Sequence, residues 1–327
     1  MENSKLKFVH TSKVFFLKNP MLFVVVLIFI AASIFVPQFA SFYNIRDVLL
    51  QTSDLIIVSC GVTFIVLNGG IDFSATSILA LSSVIGTTIM TKGSLAGSTA
   101  GIIVGMIVMI LVGAIMGAFN GIAIVKLKMP SFIVTLATMM IGSGAAIWYT
   151  NSQTINGLPK TFLEIGNGSV LFIPIPVIIS AIVIAATHFI LKYTKFGRQV
   201  YAVGTNPKTA LISGMPVKTI IFKMCLISGT CAGIASIVMS ARNQVGMPTL
   251  GNLMFIDIIA SIVIGGTSVF GGVGGVIGTL YGVLFITLMN NCLNLIGVPW
   301  YVISIVKGAI VIFAAFMDSI SKQLSEK

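Results

Sequence analysis

Apolar runs close to twenty residues long, each almost free of charge, recur from one end of the chain to the other. A water-soluble interior cannot hide so many of them, whereas a bilayer core about 30 Å thick calls for about twenty apolar residues per helix. Composition agrees. Of 327 residues, 57% are hydrophobic and 8% charged, against about 25% charged in a soluble domain. Backbone polar groups in lipid have to be satisfied within the structure, so runs of this length read as helices. The expected fold is all-α and polytopic, a single transmembrane domain of about ten helices, some short or broken. The runs place them near residues 20–36, 48–67, 74–91, 96–118, 131–149, 171–191, 219–240, 253–267, 276–297 and 300–317.

The basic residues orient this array. With both termini in the cytoplasm, the cytoplasmic side receives Lys5, Lys7, Lys13, Lys18, Lys126, Lys128, Lys192, Lys195, Arg198, Lys208, Lys218, Lys223, Lys322 and Lys327. The outer side receives Arg46, Lys92, Lys160 and Arg242, and Lys307 falls inside the last helix. Losing one span would destroy this asymmetry, which is the positive-inside signature. The net charge of +11 is therefore explained by membrane orientation, and no nucleic-acid partner is expected. Residues 1–19 read as a cytoplasmic tail, followed by an uncleaved first helix because Pro37 and Gln38 replace a small-residue cleavage site. Cys60, Cys225, Cys231 and Cys292 read as small buried hydrophobes, and His10 and His188 have no metal-ligand spacing around them.

Two glycine breaks interrupt the apolar pattern. In Asn68-Gly69-Gly70-Ile71-Asp72-Phe73-Ser74 the glycines permit a sharp turn, and Asp72 and Ser74 are placed to cap the next helix. The other reading of Asn68 and Asp72 is a polar break on a transport pathway, and the two readings are compatible. The second break runs from Gly265 and Gly266 to Gly275, with six glycines in eleven residues. No lysine of a phosphate-binding loop follows either break, so nucleotide binding is not expected on this chain. Residues 65–86 and 262–282 share the order apolar stretch, Gly-Gly break, polar turn, apolar stretch, a faint internal echo of the kind found where a pathway is lined. The echo extends to Asn120 before Pro130 and Asn291 before Pro299.

The longest cytoplasmic connection, 192–218, carries its own helix signals, with a start at Asn206-Pro207 and a stop at Gly214. It reads either as a basic helix on anionic lipid or as a docking element whose exposed face is Ala210 and Leu211. Polar residues inside spans mark function by default. They are Gln51 and Asp54, the cluster Asn290, Asn291 and Asn294, and Lys307. The asparagines suit helix–helix hydrogen bonding or substrate contact equally. Asp54 is the one carboxylate expected at a central position, which disfavours an ion-coupled carrier with a proton relay. A membrane anchor without transport is disfavoured by the broken helices.

Three motifs together resemble the permease subunits of bacterial ATP-binding cassette importers for ribose and similar monosaccharides. They are GGIDFS at 69–74, GRQVYAVGTNPKTALISGMPV at 197–217, and the series Asp257-Ile-Ile-Ala, Val-Ile-Gly-Gly-Thr-Ser, Asn290-Asn291 with Asn294, and Val306-Lys307-Gly308. The resemblance runs from about the second helix to the end. It departs where Phe73-Ser74-Ala75-Thr76 lacks a common glycine and where Thr205 follows Gly204. It implies a bacterial inner-membrane location and no enzyme activity of the chain's own. It also implies a separate ATPase that binds ATP and magnesium, an extracytoplasmic sugar-binding protein, and a second permease copy, identical or related. Segment 192–218, with Gly197, Arg198, Gly204, Asn206, Ala210, Leu211, Ser213 and Gly214, becomes the expected ATPase-coupling element. Asn68, Asp72, Gly265, Gly266, Asn290, Asn291 and Asn294 become pathway candidates. Nucleoside or signalling-sugar cargo is the alternative within the same mechanism.

Overall fold

The computed structural model describes residues 20–325; the basic tail expected at 1–19 lies outside them. The chain is almost entirely helical: α1 (Pro20–Phe35), α2 (Phe42–Val66), α3 (Ser74–Thr91), α4 (Thr99–Lys126), α5 (Ser131–Thr150), α6 (Lys160–Asn167), α7 (Ile175–Tyr193), α8 (Lys195–Thr205), α9 (Pro207–Ile212), α10 (Val217–Asn243), α11 (Met254–Ile264), α12 (Val276–Leu295) and α13 (Trp300–Ser325). Among the described residues eight helices are long and apolar enough to cross a membrane, and α1 and α11 are shorter apolar helices. Each of the ten expected apolar runs therefore holds a helix.

Three details differ from expectation. The run at 171–191 begins with a two-residue hairpin, Ser169–Val170 against Ile173–Pro174, whose tip residues Leu171 and Phe172 take left-handed backbone. The helix starts only at Ile175, once Pro174 and Pro176 have set the turn. Helix α6 was not anticipated; it is short and amphipathic, with Phe162 fully buried. Helix α11 has 11 residues, about 16 Å at 1.5 Å per residue, roughly half of the bilayer core.

The burial pattern inverts that of a soluble bundle. On α4 the large residues Ile107, Leu111, Ile115 and Phe119 form an exposed ridge one helical turn apart, while Gly105, Met109, Gly113 and Gly117 face inward. Small residues let helices approach closely where lipid offers no hydrophobic drive to pack. The α4–α10 crossing uses this, with Gly113 and Gly117 against Gly229. At the centre stands α2, whose Ile56, Ile57, Val58, Cys60, Val62 and Phe64 are wholly buried. The cysteines are free; three are buried and Cys292 is half-buried.

The chain between α10 and α11 is irregular where it runs alongside α3, a helix long and apolar enough to cross a membrane. Ile155 and Gly246 exchange backbone hydrogen bonds of 2.8 and 2.9 Å, and the Met247 amide donates to Ser83 Oγ at 3.2 Å. Gly246 packs on Thr87 and Gly251 on Leu79, two turns apart on α3. This segment thus descends about 12 Å along α3 before α11 begins. Non-helical backbone at membrane depth is tolerated where protein covers it or where it lines a cavity.

Candidate functional site

Two features occupy opposite ends of the bundle. The first is a junction where the three sequence motifs meet. The end of α2, the glycine break at 265–275 and the end of α8 come together backbone to backbone. The Gly272 amide donates to the Leu67 carbonyl at 2.8 Å. A Cβ on Gly204 would collide with that same carbonyl and lie 2.8 Å from the Gly272 nitrogen, so only glycine fits. At Gly69, with φ +72°, a Cβ would lie only 3.2 Å from the Phe270 carbonyl oxygen. The Tyr201 hydroxyl donates to the Gly274 carbonyl at 2.9 Å. Burial raises the Tyr201 pKa above its ordinary value. The two breaks that echo one another in sequence are thus in contact, and α8 is fastened to both. Asn120 and Asn291 are not equivalent in this order: Asn120 lies on α4, the second helix after its break, and Asn291 on α12, the first after its own.

Beyond the junction, α8 and α9 continue as one connector between α7 and α10. Thr194 Oγ1 accepts from the Gly197 amide at 3.1 Å and starts α8. Asn206 Oδ1 accepts from the amides of Lys208 and Thr209, each at 3.0 Å, and starts α9. Gly214, at φ +77°, ends it, with the Ser213 amide bonded back to Thr209. The helix anticipated near Asn206–Ser213 is present. Its exposed face is only in part the one expected: Leu211 is exposed and Ala210 is not. Ala210 is 4% exposed and packs into the core, whereas Leu211 and Ile212 are 63% and 87% exposed. In a helix of six residues the inward face is set by tertiary packing, which residue order alone does not specify. Arg198 is exposed beside this connector.

Asp72 sits at the inner edge of the junction in a closed polar network. Its Oδ1 accepts from the Ser74 amide at 2.9 Å and from Ser74 Oγ at 2.6 Å. Its Oδ2 accepts from Ser228 Oγ at 2.6 Å. Asn120 Nδ2 donates to Ser74 Oγ at 2.8 Å, and Thr138 Oγ1 donates to Asn120 Oδ1 at 2.6 Å. Asp72 therefore caps α3 from one residue before the usual capping position, held by Phe73, and ties α3 to α4, α5 and α10.

The second feature is a cavity of about 660 Å³ at the other end of the bundle. Its walls come from α2, the end of α10, the irregular segment 247–253, the start of α11, and α12, and it reaches Asp54 at the middle of α2. Arg242 and Asp54 form an ion pair at 2.6 Å, with Asp54 almost fully buried. Beside it Lys307 pairs with Asp257 at 2.8 Å. Arg242, expected in an outer loop, is still helical because α10 runs on to Asn243. Asp54 is consequently not the single interior carboxylate: Asp257 and Asp72 accompany it, each matched by a cation or by hydroxyl donors. An interior arginine and an interior aspartate on different helices are the signal that, weighed together, points to this pair.

Of the sequence-derived pathway residues, Asn290 lines this cavity. Asn291 instead makes a reciprocal amide pair with Asn44, at 2.7 and 3.0 Å, joining α12 to α2. Asn294 is exposed near the end of α12. Asn68 belongs to the junction, with a buried Oδ1 that has no hydrogen-bond partner among the described residues. Gly265 and Gly266 line a separate cavity at the junction end, with Lys192, Arg198 and Tyr201. No group of metal-ligating side chains occurs among the described residues.

Residues 44–315 match the family described as branched-chain amino acid transport system / permease component. The chain is 39% identical to the ribose import permease protein of Bacillus subtilis over 299 residues, 91% of this chain and 90% of that one. It is 36% identical to the ribose import permease protein of Haemophilus influenzae, covering 91% and 92%. It is 33% identical to the D-allose transport system permease protein of Escherichia coli, covering 90% and 88%. No solved structure matches the chain. The apolar helices and the extent of these matches lead to one conclusion: the chain is a multi-pass inner-membrane protein that belongs to this family of transport-system permease components.

Proposed function

We propose that the chain is the membrane-spanning subunit of an ATP-binding cassette importer for a monosaccharide, ribose or a close relative. The observation that carries this is the run of relatives at 33–39% identity, named for ribose and allose, aligned over about nine-tenths of each chain. An extracytoplasmic binding protein delivers the sugar to the cavity end. A cytoplasmic ATPase, which holds ATP and magnesium, docks on α8 and α9 through Leu211 and Ile212. A second permease, a copy of this chain or a relative, completes the assembly. The asymmetric distribution of lysine and arginine supports placing the α8–α9 end and both termini in the cytoplasm. Docking at α9 pulls on Gly204, and the junction passes that movement to both glycine breaks and so to the inner ends of α2, α3, α11 and α12.

The test is uptake of labelled ribose, allose and arabinose by cells lacking their own transporters. The cells express this chain with its ATPase and binding protein. At least one monosaccharide should accumulate, and removing the ATPase should abolish it. Accumulation of nucleosides instead, or uptake that survives loss of the ATPase and follows an ion gradient, contradicts the proposal.

A further inference from the structure

The polar groups of the charged cavity are not all used by the protein itself. Asp54 Oδ1, Asn290 Oδ1 and Arg242 Nε have no hydrogen-bond partner among the described residues, and all three residues line the same cavity. Asp54 is 2% exposed. A buried carboxylate oxygen and a guanidinium nitrogen left without partners are costly unless something that enters the cavity satisfies them. The volume is within the range of roughly 300–1,000 Å³ typical of small-molecule sites.

We infer that this cavity is a transit site for a neutral polyhydroxylated solute, in which the Asp54–Arg242 pair engages neighbouring hydroxyls and Asn290 accepts from a third. The inference rests on the monosaccharide-import reading and adds a site on the permease itself. Three observations select this ligand class. First, the charges are already paired, Arg242 with Asp54 and Lys307 with Asp257. An amino acid zwitterion would have to break one of these pairs, whereas a hydroxyl only completes them. Second, with Asp54 Oδ2 and Asp257 Oδ1 engaged in the two ion pairs, the positions left open are two acceptors and one donor in a small space, and a hydroxyl both donates and accepts. Third, the apolar wall is Leu55, Met239, Met247, Leu250, Leu253 and Met254, with no aromatic ring. A sugar is held there by hydrogen bonds without a stacking platform, so occupancy is weak and release is easy, as passage requires.

The experiment follows the site directly, without relying on import. Thr249 lines the cavity and is exposed to it. In the permease–ATPase complex in lipid nanodiscs, a Thr249→Cys variant is labelled with a small thiol reagent, and the parent protein corrects for Cys292. Millimolar ribose, allose or arabinose should slow labelling several-fold, while leucine should not. In Asp54→Asn/Arg242→Gln, which removes both charges while keeping polar side chains, the sugar concentration for half-protection should rise at least about tenfold, the value of one hydrogen bond to a charged group. Asn290→Ala should give a smaller rise in the same direction. The labelling rate without sugar reports whether the cavity is intact in each variant. Labelling unaffected by every sugar, equal protection by leucine, or unchanged protection in the double variant would each overturn the site. A protein that imports a monosaccharide yet shows no protection loses this inference and keeps the proposed function. A protein that imports none loses the function, whatever the labelling shows.

Discussion

The two ends of the bundle are built from different materials. At the junction, contacts run from backbone to backbone through Gly69, Gly204 and Gly272, and the one charged group that joins them, Asp318, only accepts from Ser268 Oγ at 3.0 Å and the Val269 amide at 3.2 Å within the second glycine break. At the cavity end the walls are held by side-chain ion pairs, Asp54 with Arg242 and Asp257 with Lys307. Backbone contacts at glycine leave no slack, because there is no side chain to change rotamer, so a movement of α8 is transmitted rather than absorbed. Ion pairs and amides are adjustable and can exchange partners with a passing solute. The proposed coupling of ATP hydrolysis to passage calls for both: an inextensible link where the ATPase is proposed to dock and a compliant, polar surface on the proposed path of the cargo.

The largest expected effect comes from breaking the compliant end. Arg242→Met leaves Asp54 buried and unpaired, and should destabilise the protein by about 3–5 kcal/mol. This is read as the loss of folded permease in a thermal-unfolding series in detergent. Adding Asp54→Leu should recover most of it, since replacing a buried pair by apolar residues is often neutral; no recovery would mean that Asp54 has another essential partner.

The next effect separates the two faces of α9. Leu211→Glu with Ile212→Glu should cost the ATPase contact at least about 2 kcal/mol, as expected of exposed apolar anchors at the centre of an interface, with permease levels unchanged. Ala210→Glu should instead reduce the amount of folded permease, because Ala210 is buried. Co-purification of ATPase with membrane permease measures both, and the opposite pattern would return Ala210 to the docking face.

A smaller effect is expected at Asp72. Asp72→Asn keeps one acceptor for Ser74 and turns the other position into a donor, which the Ser228 hydroxyl can accept by rotating. The cost should be near 1 kcal/mol, with transport largely retained. Loss of transport at normal expression would show that its charge, not its hydrogen bonds, matters to the pathway.

Sequence reasoning located α1 to α5, α7 and α10 to α13 because run length alone decides which segments can cross lipid. It also placed the start and stop of α9, since an Asn-Pro cap and a left-handed glycine are local chemistry. It did not place Ala210, whose side of a six-residue helix depends on what packs beneath it. It missed the Asp54–Arg242 pair because the partners lie on helices distant in sequence, and because α10 continues three residues past its expected end to keep Arg242 inside. The irregular descent before α11 was legible in principle. An apolar run of 11 residues is too short to span, and Gly246, Pro248 and Gly251 precede it. The meeting of the two glycine breaks was hinted at by their echo, but contact between them is a property of the folded chain.

The inextensible link is tested most directly at Gly204, by counting ATP hydrolysed per sugar imported in proteoliposomes holding permease, ATPase and binding protein. Gly204→Ala adds one carbon where the Leu67 carbonyl already sits, and overpacking of this kind costs about 1–3 kcal/mol. The junction should open while α9, with Leu211 and Ile212, still docks. The account predicts that ATPase association and hydrolysis persist while import falls at least about tenfold, a shift worth about 1.4 kcal/mol, so that the ratio of ATP to sugar rises. An alanine variant that imports at the unmodified rate and ratio would contradict the claim that the junction carries the coupling.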